Sequence, residues 1–111
     1  MNKHYHLIGI GGIGMSGIAH LLLKQGLRVS GSDLKESMLT DELKKQGASI
    51  FIGHNAKNIQ GAQVIVYSSA IKADNPEIQA AKKQGLPLLK RAEALAGLME
   101  GENVITVTGS H

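Results

Sequence analysis

The sequence contains no cysteine and no tryptophan, and aromatic residues make up only 3% of it. Without cysteine, disulfide frameworks, thiolate-ligated zinc and thiol catalysis are excluded. The scarcity of aromatic rings leaves no row of stacking platforms for nucleic-acid bases. It also requires that a hydrophobic core be built from aliphatic side chains.

Long apolar runs and clusters of one charge are also missing. No run reaches the roughly 20 apolar residues of a membrane-spanning helix, and the first residues do not form a signal peptide. The net charge of +3 comes from lysines and arginines that are scattered along the chain. We therefore expect a cytoplasmic protein with neither nucleic acid nor a membrane as partner. The 111 residues, 42% of them hydrophobic and 19% charged, fit one globular domain.

Helix ends recur along the chain in a regular form. The tripeptide Lys-Gln-Gly occurs three times, ending at Gly26, Gly47 and Gly85. Each copy places a cation in a last helical turn and a glycine where a left-handed residue is favoured. An apolar, strand-like stretch follows each copy, at 27–31, 48–52 and 86–89. This alternation of helix and strand predicts a parallel sheet.

Further segments complete the predicted elements. Strand-like segments lie at 5–10, 63–67 and 104–107, and the second of these is apolar enough to be the buried central strand. Asn75 and Pro76 predict the start of a helix that ends at Gln84, and apolar spacing predicts another helix over 92–99. The pattern predicts an α/β fold: a Rossmann-like, doubly wound parallel sheet of about five strands with helices on both faces.

A glycine-rich turn joins the first strand to the first helix. The segment from Gly9 to Gly14 fits G-x-G-x-x-G, and an overlapping match runs from Gly12 to Gly17. An acid, Asp33, follows about 20 residues later at the end of the second strand. In such a turn, backbone N–H groups and the helix dipole bind a diphosphate, while the acid accepts hydrogen bonds from ribose hydroxyls. We expect Gly14 to let the helix approach the first strand and the diphosphate, and the Ser16 hydroxyl to add a donor.

The spacing does not identify the nucleotide, because NAD and a UDP-sugar both contain a diphosphate and a ribose. The NAD-binding half of an oxidoreductase and a nucleotide-sensing regulatory module therefore remain open. A glycine turn that serves only to pack helix against sheet is the third alternative.

The run His6–Ala19, HLIGIGGIGMSGIA, closely resembles the start of the Mur ligases of bacterial peptidoglycan synthesis. Other matches follow in the family's order: Gly31-Ser32-Asp33, Gly53-His54, Ser68-Ser69-Ala70-Ile71, Asp74-Asn75-Pro76-Glu77 and Arg91-Ala92-Glu93. The resemblance is to the branch that joins L-alanine to UDP-N-acetylmuramic acid, and it implies ATP and Mg²⁺ as requirements of the full enzyme. The family's tripeptide-attaching ligase is a further alternative. The sequence Gly14-Met15-Ser16-Gly17 in the glycine turn differs from that ligase.

The resemblance implies a set of residues that bind the UDP-sugar. For the diphosphate these are Gly11, Gly12, Ile13, Gly14, Met15 and Ser16; for the ribose Asp33; for the uracil end His54; and for the same crevice Ser68, Ser69 and Ala70. It implies no catalytic residue, cofactor or metal ligand within this chain. Arg91 is expected to cap or pack a helix rather than reach a phosphate. His4 and His6 lie on one strand face, but no third metal ligand accompanies them.

The last four residues resemble the first half of the phosphate loop T-G-[ST]-x-G-K-[ST] that opens the ATP-binding domain of these ligases. We therefore expect a UDP-sugar-binding domain at 1–101 and a stub of the ATP-binding domain at 102–111. Gly109, Ser110 and His111 would form an incomplete ATP loop, without the lysine and the Mg²⁺-binding hydroxyl. The chain by itself is expected to bind UDP-N-acetylmuramic acid without catalysing ligation.

Overall fold

Strands and helices alternate along the chain, as the sequence predicts. The computed structural model describes residues 3–99. The strands are β1 (His4–Ile8), β2 (Arg28–Asp33), β3 (Ser49–Ile52), β4 (Val64–Tyr67) and β5 (Leu88–Lys90). The α-helices are α1 (Ile13–Lys24), α2 (Met38–Lys45), α3 (Pro76–Gln84) and α4 (Arg91–Met99), and a 3₁₀ helix spans Ala56–Ile59. The strand predicted at 104–107 and the loop residues Gly109, Ser110 and His111 lie outside the described residues.

The five strands form one parallel sheet in the order β3-β2-β1-β4-β5. This confirms the predicted doubly wound α/β fold. The prediction that β4 is the central strand is wrong, because β1 is the third of the five strands and has two strands on each side. β4 lies beside it and is nevertheless buried on both faces through Val64, Ile65 and Val66. A continuous apolar sequence indicates burial on both faces. The middle strand and the strand beside it are both buried in this way, so the pattern does not distinguish them.

Helix ends follow the predicted chemistry. Gly26, Gly47 and Gly85 have φ angles of 82°, 111° and 70°, so each of the three Lys-Gln-Gly copies ends a helix with a left-handed glycine. At the start of α3, the Asn75 side chain accepts a hydrogen bond from the N–H of Glu77, with Pro76 in the first turn. The predicted boundaries of these helices are therefore confirmed.

Separate apolar clusters pack on the two faces of the sheet. The first joins β1, β2 and β4 to α1, α2 and α4, and includes Tyr5, Leu7, Ile18, Leu22 and Leu43. The second joins β1 and β4 to α3 and the 3₁₀ helix, and includes Ile8, Ile59, Ile65, Ile78 and Ala81. Because α1 leaves β1 on one face and α3 leaves β4 on the other, a crevice opens at the carboxyl ends of β1 and β4. Ligands bind at this position in open α/β sheets. Within residues 3–99, no helix is long and apolar enough to cross a membrane.

Candidate functional site

The glycine turn after β1 is held against the end of β2. Gly9 has a φ of 81°, which ends the strand at Ile8, two residues earlier than predicted. The N–H groups of Gly9 and Ile10 both donate to the Ser32 carbonyl, at 2.8 and 3.0 Å. The N–H of Gly12 then donates back to the Gly9 carbonyl at 3.0 Å. This tight turn brings the start of α1 to the carboxyl edge of the sheet.

The N-terminus of α1 has no side-chain cap and no acid in its first turn. Among the described residues, nothing accepts a hydrogen bond from the N–H groups of Ile13, Gly14 or Met15. Together with the positive end of the helix dipole, these donors suit an anion. The Ile13 side chain beside them is 88% exposed.

Asp33 is fastened to the same turn. Its Oδ2 accepts a hydrogen bond from Gly11 N at 2.8 Å, and its Oδ1 accepts one from Leu34 N at 2.7 Å. A Cβ atom on Gly11 would lie 2.7 Å from Asp33 Oδ2 and 3.0 Å from Thr40 Cγ2. A side chain at position 11 would displace the Asp33 carboxylate, so the approach of this carboxylate to the backbone favours glycine there. Each carboxylate oxygen keeps a second lone pair for a further donor.

Met15 and Ser16 contribute differently from the expectation. Both side chains are buried, and the Ser16 hydroxyl donates to the Ile13 carbonyl at 3.0 Å. The Ser16 N–H donates to the Gly12 carbonyl at 2.8 Å. The donor expected from Ser16 is thus engaged within its own helix turn. The groups that this turn offers to a ligand are backbone N–H groups.

Arg91, the first residue of α4, lies over the start of α1. A Cβ atom on Gly14 would be 2.9 Å from Arg91 Cδ and 3.0 Å from Arg91 Nη1. The expectation that Gly14 is needed for packing against the first strand is therefore wrong: Gly14 is exposed, and its close neighbour is the Arg91 side chain. This contact brings a cation to the uncapped helix terminus.

The loop after β4 lies beside the glycine turn. The Ile71 Cδ1 atom would be 3.5 Å from a Cβ on Gly9. Ser68 shapes this loop, because its Oγ accepts from Ala70 N at 3.3 Å and its carbonyl accepts from Ile71 N at 3.0 Å. Ser69 and Ala70 are exposed. These residues therefore lie at the carboxyl end of β4, beside the glycine turn.

His54 follows β3 and is linked to a buried carboxylate that sequence reasoning missed as a site residue. Its Nδ1 lies 3.0 Å from Ser32 Oγ and 3.3 Å from Glu77 Oε2. Glu77 lies in the first turn of α3 and is 0% exposed. It also contacts His6 Nε2 through Oε1 at 2.6 Å. The sequence holds one signal for this cluster, since His6 and Ser32 point to the same face of adjacent strands.

Hydrogen bonds keep Glu77 ionised despite its burial. Burial by itself raises the pKa of this carboxyl, but hydrogen bonds from His6, Asn58 and Ser32, with the field of His6, outweigh that effect. The pKa falls from 4.5 to about 2. Glu77 is therefore a carboxylate, and an acceptor only, at neutral pH.

The His4 and His6 pair is bridged by a hydroxyl. Ser30 Oγ lies 2.7 Å from His4 Nε2 and 2.7 Å from His6 Nδ1. Across residues 3–99, no group of three or more histidines and acids is arranged to hold a metal ion. Burial lowers the pKa of His4, which favours its neutral form. The two histidines thus belong to the hydrogen-bonded chain that ends at Glu77.

A cleft of about 520 Å³ lies away from the glycine turn, where β2 and β3 begin. His4, Arg28, Ser49, Phe51 and Gln60 contribute to its lining. None of the residues that the sequence singles out for the nucleotide lines it. This cleft therefore does not coincide with the residues that carry the nucleotide chemistry, and the uncapped helix terminus is the better-founded site.

The chain is similar in sequence to known proteins. Residues 4–103 match the family model "Mur ligase family, catalytic domain". The UDP-N-acetylmuramate–L-alanine ligase of Aquifex aeolicus is 56% identical over 109 residues, which cover 98% of this chain and 24% of that protein. The chain thus spans about a quarter of the length of such relatives.

Solved structures agree with this similarity. The UDP-N-acetylmuramate-alanine ligase of Thermotoga maritima superposes with a TM-score of 0.86 at 33% identity, over 89% of this chain and 23% of that one. A ligase from Neisseria meningitides acting on UDP-N-acetylmuramate and an L-alanyl-γ-D-glutamyl-meso-diaminopimelate peptide gives 0.79 at 31% identity, over 86% and 30%. The parallel sheet, the glycine turn and the family model agree: the chain belongs to the Mur ligase family.

Proposed function

We propose that this chain binds the UDP part of UDP-N-acetylmuramic acid, as the N-terminal part of an ATP-dependent ligase that adds L-alanine to that sugar nucleotide. The observation that carries the proposal is the uncapped start of α1, with Asp33 bonded to Gly11 beside it. Family membership supplies the choice of nucleotide. Curated relatives at 53–56% identity are named UDP-N-acetylmuramate–L-alanine ligase, which supports the choice of amino acid.

Each part of the ligand has a group suited to it. The diphosphate is bound by the N–H groups of Ile13, Gly14 and Met15, with Gly11 and Gly12 keeping the turn free of side chains. Arg91 adds a positive charge there. Asp33 accepts from the ribose hydroxyls through its remaining lone pairs, and the uracil lies toward His54.

The remainder of the sugar extends toward the loop after β4. Ser68, Ser69 and Ala70 offer hydroxyls and backbone amides on that side of the crevice. Ser16 acts through the geometry of the helix turn, since its hydroxyl is bonded to Ile13. In this scheme residues 1–101 form the nucleotide-sugar domain, and 102–111 begin the ATP-binding domain.

The ligation chemistry belongs to the rest of the proposed ligase. ATP transfers its terminal phosphoryl group to the lactyl carboxylate, and the amine of L-alanine then displaces phosphate from the acyl carbon, forming the amide. Residues 3–99 hold no cluster of acids and histidines that fits Mg²⁺, so we assign no metal ligand to them. What these residues contribute is proximity: holding the UDP end presents the carboxylate to the reacting groups. Use of ATP and a UDP-sugar is consistent with a cytoplasmic location.

An NMR titration tests the proposal. Adding UDP or UDP-N-acetylmuramic acid to the ¹⁵N-labelled chain should perturb the amides of 11–16 and 68–70. Asp33→Ala should weaken this response, whereas Asp41→Ala, which removes an exposed acid from α2, should leave it unchanged. Perturbations confined to other parts of the sheet would contradict the proposed site.

A further inference from the structure

The Glu77 carboxylate has five hydrogen-bonding partners, which lie in β1, in β2 and in the segment after β3. Its Oε1 contacts β1 and β2, at 2.6 Å from His6 Nε2 and 2.8 Å from Ser32 Oγ. Its Oε2 contacts the segment after β3. The partners there are His54 Nδ1 at 3.3 Å, Asn55 N at 3.1 Å and Asn58 Nδ2 at 2.9 Å. One carboxylate thus holds the segment that carries His54 against the strands.

The hydrogen-bonding partners of His54 determine which of its ring nitrogens carries a proton. The Ser32 hydroxyl donates its one proton to Glu77 Oε1, so toward His54 it acts as an acceptor. Glu77 Oε2 is also an acceptor. Since both neighbours of His54 Nδ1 accept, Nδ1 carries the proton. A neutral imidazole then has a lone pair on Nε2, which makes no hydrogen bond with any of residues 3–99.

The contacts of Glu77 continue along β1 and β2. His6 Nδ1 lies 2.7 Å from Ser30 Oγ, which in turn lies 2.7 Å from His4 Nε2.

We propose that Glu77 is a positioning residue for nucleotide recognition: with Ser32 it fixes His54 as the Nδ1–H tautomer, so that Nε2 accepts a hydrogen bond from the base. The inference rests on the proposed function for the identity of the ligand. An acceptor at Nε2 suits a base with an imide N–H, as uracil has at N3. At that position it does not suit cytosine, whose N3 is itself an acceptor and whose donor is the N4 amino group. Glu77 therefore sets a preference for uridine over cytidine nucleotides without touching either.

The tautomer is measurable without ligand. Long-range ¹H–¹⁵N spectra of the histidine-labelled chain at about pH 8, where imidazoles are ordinarily neutral, distinguish protonated from unprotonated ring nitrogens. We expect protonated Nδ1 and unprotonated Nε2 in His54. Glu77→Gln, which replaces one acceptor oxygen by an NH₂ donor, should shift His54 toward the Nε2–H form. Asn58→Ala removes another Glu77 contact from the same segment without touching the ring, and should leave the tautomer unchanged.

Binding of UDP and CDP by calorimetry gives the second readout. The wild-type chain should prefer UDP, and Glu77→Gln should reduce that preference by about tenfold, the equivalent of one well-formed hydrogen bond. An Nε2–H tautomer in wild-type His54, or an Nδ1–H tautomer that persists in Glu77→Gln, overturns the inference. The wild-type tautomer decides the matter even if the variant does not fold.

The two proposals fail in different ways. If neither UDP nor CDP binds while the tautomer depends on Glu77, the proposed function is wrong, and so is the recognition role of Glu77. If UDP binds but its preference over CDP is the same in Glu77→Gln, only the role of Glu77 is overturned.

Discussion

Individual residues at the glycine turn differ in the space that surrounds them. A Cβ on Gly11 would meet the Asp33 carboxylate, and one on Gly14 would meet the Arg91 side chain. A Cβ on Gly17, in the same helix as Gly14, would meet nothing within 4 Å. The two overlapping glycine patterns in the sequence are therefore not equivalent. Gly11, where a Cβ would displace the Asp33 carboxylate, belongs to the Gly9–Gly14 match alone.

Gly11→Ala and Gly17→Ala form a matched pair. Gly11→Ala should destabilise the chain by about 1–3 kcal/mol, because the new methyl group forces the Asp33 carboxylate away. Gly17→Ala should stabilise it by about 0.5–1 kcal/mol, because alanine is the better residue within an open helix face. Urea unfolding measures both. A Gly11→Ala chain as stable as wild type would contradict the contact with Asp33.

Arg91→Ala should weaken UDP binding by about tenfold, because a charged hydrogen-bond donor to phosphate is removed. Binding of uridine, which has no phosphate, should not change, and calorimetry with both ligands measures the difference. Lys90→Ala, which removes the adjacent exposed cation, is the control. Equal losses for UDP and uridine would mean that Arg91 acts by packing, as the sequence suggested.

The sequence predicted the glycine turn and an acid at the end of the second strand, and the residue-level expectations that failed have physical causes. Asp33 lies at the turn, where its Oδ2 accepts from Gly11 N, and its contact with a ribose stays a prediction. Ser16 was expected at the ligand, but serine in a helix readily bonds to a carbonyl of the preceding turn. The role of Glu77 was not predicted because its partner His6 lies 71 residues away in the sequence. An acid in a first helical turn ordinarily indicates only a favourable interaction with the helix terminus.

At the scale of elements, the start of α3 combines two functions. Asn75 caps the helix, and Glu77 places a buried carboxylate among donors from β1, β2 and the segment after β3. Local signals predicted the helix and its boundaries. The 3₁₀ helix at 56–59 was not predicted, since four residues are too few to show a helical period. Local chemistry thus specifies ends of elements, and long-range contacts specify what they bury.

The ionised state of Glu77 gives stability a definite pH dependence. Its folded-state pKa of about 2 lies below the ordinary value, so the contribution is fully present above about pH 5 and is lost as the pH falls through 2. A shift of this size corresponds to roughly 3 kcal/mol. In Glu77→Gln, the free energy of unfolding should be lower at neutral pH and should fall less steeply over this range.

Urea unfolding at a series of pH values measures this dependence. Glu36→Gln is the control, because Glu36 is exposed and its contact with Lys44 is long, at 4.0 Å. That variant should keep the steep loss of wild type. A Glu77→Gln chain whose stability falls as steeply as wild type between pH 5 and 2 would show that another group is responsible.

At the scale of the whole molecule, the strand order determines where the site lies. The chain adds β2 and β3 on one side of β1 and β4 and β5 on the other. The first helix and the third therefore cover opposite faces, and the glycine turn, Asp33 and the loop after β4 meet at one edge. Alternating patterns in the sequence predicted this architecture. These patterns could not predict that β1 is the middle strand, because periodicity within a strand carries no information about which strands pair with it.

Calorimetric titration of the chain with UDP-N-acetylmuramic acid, UDP and NAD tests the central claim most directly. All three ligands contain a diphosphate and a ribose, so a generic glycine turn would not separate them. We predict that UDP-N-acetylmuramic acid and UDP bind, and that NAD binds weakly or not at all. Tighter binding of NAD than of UDP-N-acetylmuramic acid would contradict the claim that this chain binds the nucleotide sugar of a Mur ligase.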